Sequence, residues 1–284
     1  MTSHDVIVTL TTDFGTQDGY VAAIKGAMLS VAPEVRFVDV THEVPPQDVM
    51  GAAFVMRQAI GHFPEGTIHL GVVDPGTGGS RRPLAARFHP PGSDREHIFV
   101  GPDNGLLSLI TDDPPVRTVV LDQPNRWRST RASETFHGRD IFAPVASHLA
   151  SGVPLRDVGT PTEEIATLRW ALPRADEQGV EGWVVHVDRY GNCITNIPRE
   201  TVDAHRAGRD VSVYAGSTII RGMNASYGDV TDTEPVAVFG SSGSLEVGVN
   251  RGNASTLLSL NRGTAVRLVF DSQPTRARRL TEIG

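Results

Sequence analysis

Apolar positions in the first half of the chain fall into two alternating kinds of stretch. Short runs of β-branched residues at Val6–Thr12, Val35–Val40 and Thr67–Val73 read as strands. Between them, Asp18–Val31 and Asp48–Ile60 carry Ala, Ile, Val and Met at helical spacing and read as helices. Further short strands are expected at Leu84–Phe88, His97–Gly101 and Val116–Leu121, and a helix over Ile141–Ala150 that stops at Gly152. Strand–helix alternation of this kind predicts an α/β domain over residues 1–165, with a mostly parallel sheet covered by helices.

The second half changes period. Residues 166–179 are mixed in character and read as a linker. Short strand-like runs follow at Trp183–Val187, Cys193–Ile197, Val211–Tyr214, Thr218–Ile220, Val236–Phe239, Ser244–Val249 and Ala265–Phe270. Turns rich in Gly, Asn and Asp separate them, so residues 180–284 are expected to form a small β-barrel or sandwich. The Arg-rich end, Gln273–Gly284, reads as a loose tail or a short helix.

Composition narrows the class. The 284 residues are 39% hydrophobic and 21% charged, ordinary for a folded domain pair. No run approaches the ~18 apolar residues of a membrane span. Met1–Asp5 leads straight into the first strand without the basic, apolar and small-residue pattern of a signal peptide. A net charge of −7 argues against nucleic acid as partner. Cys193 is the single cysteine, so no intrachain disulfide forms, and a cytoplasmic setting is expected. Lys25 is the single lysine and lies inside an expected helix, which disfavours Schiff-base chemistry. The ten histidines show no spacing suited to zinc, so no metal site is expected.

Candidate chemistry sits at strand ends, where open α/β sheets bind ligands. Asp13, Asp74 and Asp103 each follow an expected strand within a Gly-containing turn. Any one of them also reads as a helix cap or Asx turn; three at equivalent ends point to a shared polar site. Asp13 is placed to accept both hydroxyls of a ribose. No G-x-G-x-x-G follows the first strand, which leaves a nucleoside without a pyrophosphate compatible. Asp74 and Arg81 share one turn, so a bidentate pair is feasible. His137 stands just before a helix, a position that is also commonly structural. Asp13-Phe14-Gly15 matches a kinase string, but the order of elements and the missing Gly-rich loop exclude that reading.

Taken in order, Leu10-Thr11-Thr12-Asp13-Phe14-Gly15 with Asp18-Gly19-Tyr20, Val73-Asp74-Pro75-Gly76, Gly101-Pro102-Asp103-Asn104-Gly105, Phe136-His137-Gly138-Arg139-Asp140, Gly191-Asn192 with Thr195-Asn196-Ile197, and Ser241-Ser242-Gly243 together resemble the SAM hydroxide adenosyltransferases, relatives of the fluorinases and chlorinases. The resemblance runs from about Val6 to about Val269. It implies a Rossmann-like α/β domain, a C-terminal β-barrel, and a homotrimer with active sites between subunits. It implies hydrolysis of S-adenosyl-L-methionine (SAM) to adenosine and methionine, with SAM as substrate and no cofactor. It assigns Asp74, Arg81 and His137 to gripping the water and Asp13 to the ribose. Asp188, Asn192, Ser241, Glu246 and the backbone near Val249 and Ala254 would contact the adenine and methionine portions. Halogenating relatives carry tyrosine at the Asp74 and His137 positions and a longer loop where Arg87–His97 is short here, so water is the expected nucleophile. Either His137 or Asp74 could take the proton; pairing with Arg81 weakens Asp74 as a base and favours His137. A SAM-dependent chlorinase and a non-catalytic SAM or nucleoside binder remain the alternatives.

Overall fold

β-Branched residues dominate β1 (Ile7–Thr12), and both it and β3 (Ile68–Val72) are almost wholly buried, as the centre of a two-faced sheet requires. The computed structural model describes residues 6–170 and 172–271; Met1–Asp5 and the expected tail Gln273–Gly284 lie outside the described residues. The chain divides into two compact units, Met1–Trp170 and Ala171–Gly284.

The first unit also contains α1 (Tyr20–Leu29), β2 (Arg36–Thr41), α2 (Val49–Ile60), β4 (Pro83–Phe88), β5 (His97–Pro102), α3 (Leu106–Ile110), β6 (Arg117–Val120), α4 (Ala143–Ala150) and β7 (Thr160–Thr162). Its seven strands run in the order β2-β1-β3-β5-β4-β6-β7. Side chains alternate across the sheet. Val8, Leu10, Ala85 and Val100 face a core shared with Ile24, Met28 and Phe142–Leu149. Ala86, Phe88 and Phe99 face a second core built by Ala52, Met56 and Ile60 of α2 and by α3. Asp48 caps α2 by accepting the Gly51 N–H at 2.9 Å.

The expected mostly parallel sheet is corrected to a mixed one. The β1–β2, β1–β3 and β3–β5 pairs are parallel, whereas β4–β5, β4–β6 and β6–β7 are antiparallel. The connection between β4 and β5 is too short to hold a crossover helix, so β5 must return antiparallel beside β4.

The second unit contains β8 (Arg174–Ala175), β9 (Gly179–Val187), β10 (Cys193–Pro198), α5 (Arg199–Arg206), β11 (Val211–Ala215), β12 (Thr218–Arg221), β13 (Pro235–Phe239), β14 (Ser244–Val249), α6 (Ala254–Leu257) and β15 (Ala265–Phe270). Its sheet runs β12-β11-β15-β9-β10-β14-β13, with β8 added beside β9. Its pairings are antiparallel. A bridge from Asn224 to Val238 brings the chain leaving β12 alongside β13, so the sheet nearly closes into a barrel around Val184, Val213, Val247 and Leu268. Strand β8 falls inside the stretch expected to be a linker.

Candidate active site

Asp74 leaves the end of β3 and enters a turn that returns through Arg81 to β4. Arg81 Nε donates to Asp74 Oδ1 at 2.9 Å and its Nη2 donates to Asp74 Oδ2. Thr77 Oγ1 also donates to Asp74 Oδ2, at 2.7 Å. Both side chains of the ion pair are buried, 9% and 4% exposed for Arg81 and Asp74. The same Nη2 lies 2.8 Å from His137 Nδ1. Gly78 makes this approach possible: it has φ +77°, and a Cβ there would stand 2.4 Å from the Glu134 carbonyl oxygen, on the segment that carries His137.

Two chemical consequences follow from the pairing. A guanidinium only donates, so His137 Nδ1 accepts, and a neutral ring carries its proton on Nε2. Burial first, then Arg81's charge, hold His137 below the ordinary histidine value against the opposing pull of Asp74 and Asp140. The ring is therefore neutral at pH 7, with Nε2–H as a donor. Arg81 Nη1 is buried and has no hydrogen-bond partner, an uncommon state for a charged donor. Arg81 Nη1 is thus a buried donor without a protein acceptor, and His137 Nε2–H is a second donor of the same triad.

His137 is held from behind. It precedes a turn of π-helix, Gly138–Phe142, a local widening that often accompanies functional residues. Buried Asp140 accepts from Arg139 Nε at 2.7 Å and from the Ser133 N–H at 2.9 Å, which ties the loop before His137 to the helix after it. The bond from Arg139, against burial, keeps Asp140 below its usual carboxylate value. A Cβ at Gly138 would lie 3.2 Å from Ile24 Cδ1 and 3.4 Å from Val72 Cγ1, so Ile24 would have to give by a few tenths of an ångström to admit a larger residue.

Asp13 follows β1, the strand beside β3, and its Oδ2 accepts the Gln47 N–H at 2.8 Å. Phe14, Tyr20 and Phe136 pack ring against ring next to it, with centroids 5.3–5.8 Å apart. Asp103, at the end of β5, does not join the triad. Its carboxylate is taken up by Arg82 at 2.7 Å and by the Ala166 N–H at 2.6 Å, a clamp on the chain at the end of this unit.

In the second unit, Asp188 and Asn192 sit in the tight turn between β9 and β10, joined by Asn192 Nδ2 donating to Asp188 Oδ2 at 2.9 Å. Glu246 on β14 is buried and accepts from the Tyr227 hydroxyl at 2.5 Å. Burial and then this bond push the Tyr227 pKa up. A Cβ at Gly248 would meet both Tyr227 and Asn192, so Asp188, Asn192, Tyr227 and Glu246 form one cluster. Ser241 is exposed in the turn before β14. Val249 and Ala254 bury their side chains in the barrel core, and their carbonyls accept the Gly252 N–H at 3.0 Å and the Leu258 N–H at 2.9 Å. The sequence reading missed Tyr227, Gln47 and Thr77; Thr77, three residues after Asp74, had a signal in its spacing. Among the described residues no three His, Cys, Asp or Glu side chains group as metal ligands, and no helix is long and apolar enough to cross a membrane.

Residues 8–159 match the model of the SAM hydroxide adenosyltransferase N-terminal domain and residues 182–267 that of its C-terminal domain. The chain belongs to the SAM hydroxide adenosyltransferase family. Within and around that family, it is 41% identical to an (R)-S-adenosyl-L-methionine hydrolase of Thermus thermophilus, over 90% of this chain and 97% of that one. It is 27% identical to a fluorinase of Actinopolyspora mzabensis, over 92% and 96% of the two chains. The crystal structure of an uncharacterized conserved protein from Thermotoga maritima superposes with a TM-score of 0.84 at 33% identity, covering 93% of this chain and all of that one.

Proposed function

We propose that this enzyme hydrolyses SAM to adenosine and L-methionine by in-line attack of hydroxide on the ribose C5′ carbon. The relatives named as (R)-S-adenosyl-L-methionine hydrolases support this substrate and its R configuration at sulfur. The observation that carries the reading is Arg81: one guanidinium fixes Asp74, feeds His137 Nδ1, and keeps Nη1 buried without a partner.

The sulfonium already bears a positive charge, so methionine departs as a neutral thioether and needs no general acid. The C5′–O bond forms, the C5′–S bond breaks, and sulfur keeps the electron pair. The demanding part is the nucleophile. His137 Nε2–H and Arg81 Nη1–H are two donors suited to hold a hydroxide in place, and its proton has gone to solvent. This changes the role expected of His137: with Nδ1 occupied by Arg81, it serves as a donor to the nucleophile rather than as the base. Asp74, saturated by Arg81 and Thr77, is the anchor of the guanidinium. Preorganised donors of this kind are worth about 10²–10³ in rate apiece, and placement of the nucleophile supplies several kcal/mol more.

Asp13 takes the ribose hydroxyls. Asp188, Asn192, Ser241, Glu246 and the main chain at Val249 and Ala254 take the adenine and methionine portions. The active enzyme is a homotrimer, with each site shared between the first unit of one subunit and the second unit of the next. It works in the cytoplasm, needs no cofactor and no metal, and has no nucleic-acid or membrane partner. The test is product identity: metal-free protein is incubated with each sulfonium epimer of SAM, with and without excess chloride. Adenosine and methionine in equal amounts, unaffected by chloride, are expected. A chloro-nucleoside, or intact SAM, would overturn the assignment.

A further inference from the structure

The loop between β2 and α2 is fastened to the turn after β1 by a set of bonds that the reaction does not itself require. The Gly15 N–H donates to the His42 carbonyl at 2.7 Å, the Val44 N–H to the Thr12 carbonyl at 3.4 Å, and Thr16 Oγ1 to Glu43 Oε1 at 3.2 Å. At the centre is the His42 ring, buried at 6% exposure. Its Nδ1 lies 2.8 Å from Thr12 Oγ1, and its Nε2 lies 3.2 Å from Asp39 Oδ1. Lys25 Nζ holds the other Asp39 oxygen at 2.6 Å.

The Asp39 end of this chain favours one set of donor directions. Nε2 meets Asp39 at ion-pair distance without hydrogen-bond geometry, and because a carboxylate only accepts, a proton on Nε2 suits that contact. Nδ1 then accepts from the Thr12 hydroxyl, whose oxygen accepts the Phe14 N–H at 3.4 Å. Phe14 N belongs to the peptide that leaves Asp13. The register of β2 against β1 shifts between Leu10 and Thr11, so Leu10 faces Asp39 and Thr11 faces Thr41. Such a bulge re-aims the residues beyond it, and His42 is the first residue after β2. The same loop delivers the Gln47 N–H to Asp13 from a backbone at φ 68°, a strained state for a residue that is not glycine.

We infer that His42 is a positioning residue for the ribose: through Thr12 and the Gly15 amide it fixes the backbone of Asp13, so that its carboxylate meets both ribose hydroxyls. This rests on the proposed role of Asp13. The geometry requires an imidazole or an equally placed acceptor opposite Thr12, and it requires the Thr12 hydroxyl.

The test measures discrimination rather than activity alone. Dissociation constants for adenosine, 2′-deoxyadenosine and 3′-deoxyadenosine are measured on the full chain, together with KM and kcat for SAM. The parent protein should lose about tenfold or more in affinity with each missing hydroxyl, as expected for bonds to a charged acceptor. His42→Phe keeps the ring and removes both nitrogens; Thr12→Val removes only the hydroxyl. Both should reduce that discrimination to about threefold or less and raise KM about tenfold, with kcat within about threefold. Thr12→Ser should restore the parent values. If His42→Phe does not fold, Thr12→Val and Asp39→Asn carry the same readout. Folded variants that discriminate as the parent does would overturn the inference. If Asp13→Ala also discriminates as the parent does, it is the ribose reading of Asp13 that fails.

Discussion

Replacing Arg81 by lysine keeps the positive charge and removes the planar fork, which separates charge from geometry. In the structure Arg81 reaches both oxygens of Asp74, donates to His137 Nδ1 at 2.8 Å, and holds Nη1 buried without a partner. A lysine ammonium is a single point donor on a flexible stem. Set against the 4%-exposed Asp74, it can neutralise the carboxylate but cannot also serve His137 and the nucleophile. One preorganised donor lost costs about 10²–10³ in kcat. Release of His137 from its fixed tautomer and orientation removes a second donor in part. Arg81→Lys is therefore expected to lower kcat about 10³–10⁴-fold, or about 4–5.5 kcal/mol at 1.36 kcal/mol per decade. KM for SAM should stay within about threefold, because the lost contacts are made to the nucleophile and not to the substrate. Stability should fall by only about 1–3 kcal/mol, since Asp74 is still paired. The assay is steady-state and single-turnover formation of adenosine, with a thermal melt alongside. A variant that keeps more than about a tenth of kcat, or whose loss lies wholly in KM, would refute the reasoning.

Three further outcomes are expected. His137→Ala should lower kcat about 10²–10³-fold with little change in SAM binding; equal losses in both would mean that the ring only shapes the pocket. Asp13→Ala should raise the KM for SAM about tenfold or more, and an unchanged KM would undo the ribose assignment. The third concerns acid stability. His69 and His97 are fully buried; burial first, with the neighbouring His97 charge, takes His69 to about 3, and burial first, then Arg95, takes His97 to about 4. The unfolded chain takes up these protons near 6.5. Their contribution is therefore complete above pH 6.5 and is lost as pH falls toward 4. Urea midpoints should begin to drop between pH 7 and pH 5.5, above the range where ordinary carboxylates titrate, and a flat profile there would contradict it.

Strand ends were where the sequence was most informative. Asp13 and Asp74 stand out because carboxylates recur at equivalent strand ends in Gly-containing turns, where any single one would also read as a cap, and Arg81 lies near enough in the chain for pairing with Asp74 to be feasible. The same logic misdirected Asp103: its position is equivalent, but its partners are Arg82, beyond the Asp74–Arg81 turn, and the Ala166 amide, 63 residues on. Helix α2 was legible from the helical spacing of its apolar residues, whereas α3 and β7 are short and α5 buries a single residue, Val202, among charged neighbours. The π-turn after His137 could not be read, because Gly-Arg-Asp-Ile-Phe continues a helical pattern and the widening depends on the tie from Asp140 to Ser133. Tyr227 and Glu246 are joined across the barrel wall, a contact that no local spacing encodes. The role of His137 turned on a tautomer: only the position of Arg81 Nη2 against Nδ1 reveals that the free nitrogen carries a proton.

The most direct test of the central claim is the fate of the solvent oxygen. Purified protein is incubated with SAM in ¹⁸O-labelled water, and the products are separated and weighed by mass spectrometry. Attack at C5′ predicts one ¹⁸O in adenosine, on the 5′ oxygen, and none in methionine. Unlabelled adenosine, or label in an amino-acid product released with an intact 5′-thioether nucleoside, would contradict it.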